Sequence, residues 1–359
     1  MESCGLIPMA RKEFSDHLRS RNFLLITAIL LLICTVGLVG GITDYQKSLN
    51  SYNEDLTAAG SDIEVQGFMP ERPSVLSVFT SVGSQLIILG AILGIALGFD
   101  LITKEKESKS LKLLLSHPIY RDEVINGKAL GSAAALLLPL GAVLAIALAL
   151  LLVIGIVPDL TEFVLVLAFG GVTALMILTY FGVALLMSTI AGNSGTALIY
   201  SIIVFVIFAV LVPVAMNDTV MSTVVGEPPE FPAQLISRSQ ASSGAEASRS
   251  SFSIDTESEV WQQYREAIRE YGERRSAVND VVKLFSPSLN YEAILGVSGG
   301  ASKSVTVTAG GGGGSFVGMT SMDPVSGASG AVKNVVALIA FTVTFFGLAY
   351  FRFMRLDIR

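Results

Sequence analysis

The chain alternates long stretches without charge and polar stretches that hold nearly all of it. Apolar runs lie at residues 23–42, 76–99, 129–157, 163–190, 197–214 and 335–353, numbered TM1 to TM6 in order. A run of about 18 apolar residues or more can span a bilayer as a helix, at about 1.5 Å per residue against a core of about 30 Å. Helices are preferred to strands because lipid offers a backbone amide no partner, so each segment must satisfy its own groups. A membrane barrel would instead show alternating segments of about 10 residues, and these runs are continuous. TM3 is the longest and contains Pro139, which predicts tilt, a kink or a protruding end. TM2 has a start softened by Ser77, Ser81, Ser84 and Gln85, and TM5 carries Pro213 near its end. The reading is an all-α membrane protein: six transmembrane helices, cytoplasmic amphipathic elements, and an enlarged external loop between helices 5 and 6.

Composition sharpens this. Hydrophobic residues make up 52% and charged residues 15%, against about 25% charged in a soluble domain. TM1 follows Arg11, Lys12, Arg19 and Arg21, in the basic-then-apolar order of a signal peptide. It is too long for an ordinary signal core and no convincing cleavage site follows, so it reads as a retained helix after an amphipathic segment 1–22. Between TM2 and TM3 stand Lys104, Lys106, Lys109, Lys112, Arg121 and Lys128, and the tail holds Arg352, Arg355 and Arg359. The 43–75 connection holds only Lys47 and Arg72. That alternation places both termini in the cytoplasm of a multi-pass protein of the cell membrane. The arginines within 217–333 do not oppose it, because long translocated segments escape the charge rule. The net charge of -6 is divided between compartments, and no basic patch with interleaved aromatics points to nucleic acid.

The polar parts divide by composition. Residues 43–75 form an external loop with Pro70 and Pro73, and residues 217–333 a second external segment. Within the latter, 237–253 is rich in Ser and Ala and reads as flexible. Over 256–275, Val260, Tyr264, Ile268 and Tyr271 recur at helical spacing. The five glycines of 310–314 lack a following Gly-Lys-Ser/Thr, so they read as a linker and not as a phosphate-binding loop.

Candidate chemistry is sparse. Cys4 and Cys34 make no disulfide framework, and His17 and His117 are too few and too far apart for a metal site. No ionisable residue lies in the middle of any span, where an ion-driven carrier needs one. No P-loop is present, so this chain has no evident ATPase and energy comes from a partner, unless the protein is passive. Gly90, Gly94 and Gly98 place a small residue on every fourth position of TM2, a face for close helix packing. The richest stretch is 100–128, DLITKEKESKSLKLLLSHPIYRDEVINGK. Charge fills its start, an apolar stripe follows, and Pro118 breaks it. From physics alone it is either a force-transmitting element or a positive-inside anchor.

This pattern resembles the permease subunits of ABC-type transporters of the ABC-2 class. There TM2 ends in a charged stretch with glutamate, followed by an apolar run, Ser-x-Pro, an arginine, and Gly-Lys opening TM3. Here those positions are Glu105 and Glu107; Leu111, Leu113, Leu114 and Leu115; Ser116 and Pro118; Arg121; Gly127 and Lys128. Ser286, Pro287 and Tyr291 ahead of TM6 resemble the family's Ser-Pro segment. Ser108, Lys109 and Ser110 stand where the family often has Gly-Thr, and 217–333 is longer than usual, which suggests an added module. The resemblance implies two permease chains, alike or different, in a lipid bilayer. Two ATPase subunits would dock on the cytoplasmic side, carrying the ATP and magnesium, while this chain holds no cofactor and is not itself an enzyme. Glu105, Glu107, Pro118, Arg121 and Lys128 would couple to those ATPases. The competing reading is a membrane-anchored scaffold or sensor whose working part is 217–333.

Overall fold

A computed structural model describes residues 6–59, 75–109, 120–230, 232, 236–238, 252–254, 259–298, 305–308, 315–318 and 324–355. Among these, six helices are long and apolar enough to cross a membrane. They are α2 (Arg21–Ala59), α3 (Leu76–Gly98), α5 (Arg121–Val153), α6 (Leu160–Ile190), the span Ser194–Ala215 and α12 (Pro324–Met354). The fifth span is composite: α7 (Ser194–Val206), a π turn at Ile207–Leu211, and α8 (Val212–Ala215). Around them stand α1 (Leu6–Arg19), the short α4 (Thr103–Glu107), α9 (Asp218–Val225), α10 (Glu259–Leu284) and α11 (Pro287–Ser298).

The chain divides into two compact units. The first comprises Met1–Val210, Ser286–Ser302 and Met322–Arg359. Its centre is α3, 61% of whose most apolar window is buried, against 11% for the fifth span and for α12. The outer helices therefore present Leu32, Val36, Ile199, Ile203 and Val343 outward. Apolar faces of that extent are a liability in water and cost nothing in lipid.

The three glycines of α3 explain its central place. A Cβ at Gly94 would lie 2.6 Å from the Ile177 carbonyl oxygen. One at Gly98 would lie 2.7 Å from the Ala184 side chain, and one at Gly90 2.9 Å from Ile177. All three faces meet α6, so the helix axes approach closely along this seam.

α2 runs on to Ala59, well past its apolar portion. Between Gly41 and Gly60 there is neither glycine nor proline to stop it. α11, within the stretch 217–333, packs among α3, α6 and α12, with Asn290, Tyr291 and the preceding Ser286 wholly buried. Its polar groups find partners there. Tyr291 bonds the Thr173 hydroxyl at 2.8 Å, and Ser288 bonds Tyr180. Thr179 and Thr342 bond each other at 2.8 Å between α6 and α12.

The second unit comprises Leu211–Phe285 and Lys303–Ser321. α10 realises the amphipathic helix expected over 256–275 and extends it to Leu284. Two antiparallel pairs add strands to an otherwise helical chain: β1 (Ile236–Arg238) with β2 (Phe252–Ile254), and β3 (Val305–Thr308) with β4 (Ser315–Gly318). The strands flank the segments read as flexible, and the Val-Thr-Val-Thr alternation of β3 is what a pleated edge favours. The glycine run itself lies outside the described residues.

Replacing Gly94 by Val should destabilise the protein by about 1–3 kcal/mol through overpacking. The same change at Gly141, where nothing lies within 4 Å of the added Cβ, should not. Thermal unfolding in detergent compares the two.

Candidate functional site

The sequence Lys104-Glu105-Lys106-Glu107 forms one short helix at the charged end of α3. Each of its last three side chains takes a different partner. Lys106 Nζ donates to three carbonyl oxygens at the C-terminus of α6: Ser188 at 3.3 Å, Thr189 at 2.8 Å and Ala191 at 3.1 Å. Glu107 accepts from Ser194 N at 2.6 Å and Ser194 Oγ at 3.1 Å, at the N-terminus of α7. A cation thus sits at a helix's negative end and an anion at a positive end, each satisfying groups the helices cannot. In return, Ser188 Oγ accepts from Ile102 N and Thr103 N at 3.0 and 3.1 Å, capping α4. The α6–α7 turn and the extension of α3 hold each other.

Glu105 points the other way, to Lys128 on α5. Lys128 Nζ lies 3.0 Å from Glu105 and 2.8 Å from Glu13 of α1. Its side chain is only 5% exposed and the two carboxylates 14% each. α1 reaches this depth because α5 offers glycines there. A Cβ at Gly127 would lie 2.9 Å from Met9, and one at Gly131 would collide with the Ala10 carbonyl. One turn further along α1, His17 Nε2 lies 2.9 Å from Ser132 Oγ. Burial pushes the His17 imidazole below its ordinary pKa, against the opposing pull of Glu13 and Asp100. At neutral pH it is uncharged, so its 3.7 Å approach to Glu13 is not an ion pair.

The His17–Ser132 pair invites comparison with a hydrolase. The geometry does not support one. Glu13 and Ser132 both approach Nε2, whereas a triad carboxylate must hold Nδ1 while the serine faces Nε2. Among the described residues no group of three or more His, Cys, Asp or Glu side chains could hold a metal. The arrangement is a polar junction: α1, α4, α5 and α6 meet through buried or half-buried contacts, and α7 joins through the exposed Glu107–Ser194 contact.

Of the residues singled out from sequence, Glu105, Glu107 and Lys128 come together in this junction. Arg121 stands apart, its Nη1 donating at 3.5 Å to the Met354 carbonyl at the end of α12. Pro118 lies outside the described residues. Gly90, Gly94 and Gly98 lie along α3 against α6. Sequence reasoning took His17 only as a rejected metal ligand and Lys106 only as an orienting charge, and it passed over Glu13, Ser132, Ser188 and Ser194. The small pair Gly127 and Gly131 carried a signal for helix packing, but nothing in the sequence names α1 as the helix received.

The family model described as "ABC-2 family transporter protein" matches residues 7–358, nearly the full chain. The chain belongs to the ABC-2 transporter family. It is also similar to the "Probable ABC transporter permease protein NosY" of Pseudomonas aeruginosa, with 28% identity over 194 residues. That match covers 53% of this chain and 61% of the relative's length. In this ABC-2 permease-type membrane protein the junction draws Glu105, Lys106 and Glu107 from the charged stretch 100–128.

Two outcomes follow from this geometry. Lys128→Met leaves two buried carboxylates facing each other and should cost about 3–5 kcal/mol, most of it recovered when Glu13→Gln and Glu105→Gln are added. Thermal unfolding of the single and triple variants measures both. His17 binds its proton less readily folded than unfolded. Its contribution to stability is therefore fully present above the ordinary histidine range and is lost as pH falls below about 6.5. A plot of melting temperature against pH should flatten there in His17→Gln.

Proposed function

We propose that this chain is the membrane-spanning subunit of an ATP-driven transporter, moving its substrate across or out of the membrane with force from separate ATPase subunits. The charged ends of the helices face the cytoplasm, both termini with them, and the ATPases dock there. The observation that carries this reading is the junction around Lys128. A push on α1 or on the extension of α3 reaches α5 through the Glu13–Lys128–Glu105 contacts. It reaches α6 and α7 through Lys106 and Glu107. Glu105, Glu107 and Lys128 on this view act behind the docking surface, transmitting its movement. Lys104 and Lys109, exposed beside them, offer the contacts. Two permease chains, alike or different, line the pathway.

A scaffold or sensor working through 217–333 is the second reading, favoured by the compactness of Leu211–Phe285 as part of its own unit. The two separate cleanly. The tagged full-length chain, captured in mild detergent, should bring down a protein with a nucleotide-binding loop, and the captured complex should hydrolyse ATP. Lys104→Glu with Lys109→Glu should abolish that capture without lowering the chain's melting temperature. Repeated capture without any nucleotide-binding subunit would overturn the transporter reading and leave the scaffold.

A further inference from the structure

The fifth span is interrupted in a specific way. Helix α7 ends at Val206, a π turn occupies Ile207–Leu211, and α8 resumes with Pro213 in its first turn. In α register the N–H of a residue bonds the carbonyl four before it, and in π register five before it. Proline has no N–H to give. The carbonyls that residue 213 would have served are therefore those of Ala209 and, in π register, Phe208.

Ser286 supplies the missing donor. Its Oγ donates to the Phe208 carbonyl at 2.8 Å, and the residue is wholly buried. The same oxygen accepts from Leu289 N at 3.3 Å, capping α11, whose first residue is Pro287. One hydroxyl gives its single proton to the fifth span and a lone pair to α11. A second observation falls at the same place. The first compact unit ends at Val210, inside the π turn, and resumes at Ser286. Of the four places where the chain passes between the units, the first two adjoin this one hydrogen bond.

We infer that the π turn and the Phe285–Ser286 junction form a hinge on which the segment Leu211–Phe285 moves, with the Ser286 hydroxyl as the latch holding one of its two states. In the other state the turn tightens to α register. Phe208 then accepts from the Val212 N–H and releases the serine, and the Ala209 carbonyl becomes the one that Pro213 leaves without its backbone donor. Removing the extra residue from the turn rotates everything after it by about 100° and shifts it about 1.5 Å along the axis. The latch thus converts a small change of register into a swing of the segment that follows. The inference does not depend on the ATPase reading and would hold equally for a scaffold.

The test is hydrogen exchange by mass spectrometry on the full chain in lipid nanodiscs, comparing wild type, Ser286→Ala, Pro213→Ala and the double variant. Ser286→Ala should speed exchange at residues 211–216 about tenfold, one hydrogen bond's worth, and leave 194–204 unchanged. In the Pro213→Ala background the backbone has its own donor, so Ser286→Ala should add little at 211–216. Loss of the α11 cap is common to both backgrounds and cancels in the comparison. Unchanged exchange at 211–216, an equal effect of Ser286→Ala in both backgrounds, or faster exchange throughout the span would each overturn the latch.

Discussion

A backbone carbonyl or amide left bare in hydrocarbon costs several kcal/mol, and lipid offers no water to relieve it. That constraint shapes this protein more than the packing of its apolar side chains does. Within each span the helix meets the constraint by itself. Where a span ends or is broken, another part of the chain must supply the partner. Lys106 does so for the C-terminus of α6, Glu107 for the N-terminus of α7, and Ser286 for the carbonyl exposed beside Pro213. Tertiary connections therefore concentrate at helix termini and breaks, and those places set which helices move together.

The consequence is an uneven body. At the charged end, four helices are tied by polar contacts of low exposure around Lys128, Lys106 and Ser188, and α7 is added through the exposed Glu107. Along the centre, α3 and α6 touch backbone to backbone through glycine. Buried ion pairs contribute little net stability relative to apolar packing, but their directional geometry defines one arrangement of the helices. On the proposed reading, a junction that transmits force needs that definition more than it needs stability, and the partners of α4 lie on several helices.

The fold was legible where the physics is one-dimensional. Apolar length marked six spans and helical periodicity marked α10, because both depend on neighbours along the chain. The candidate site was legible only in part. Alternating lysine and glutamate drew attention to 104–107, and Lys128 followed from the Gly-Lys pair. What these charges hold could not be read, because a lysine that pairs with Glu13 and one that faces solvent look alike in sequence. Glu13 and His17 stayed hidden for the same reason. Ser286, Pro287 and Tyr291 were marked by resemblance alone: the polarity of Ser286, Ser288, Asn290 and Tyr291 gives no sign of burial, whose cost is removed by hydroxyl partners on α6 and a carbonyl on the fifth span.

The fifth span joins the two halves of this argument. Its start is fixed twice, by Glu107 and by Asn193, whose side chain accepts from Thr196 N at 2.8 Å. From there to Val206 the helix is regular, a stiff rod of about 20 Å along which, on the proposed reading, a displacement of α4 is handed. The rod ends in a turn whose register depends on a single serine. A movement at the charged end then arrives at the place least able to resist it, because a π turn facing a proline lacks the backbone bond that would hold an ordinary helix. Stiffness at one end and a replaceable hydrogen bond at the other are what a helix needs to change the disposition of the segment beyond it without itself unfolding.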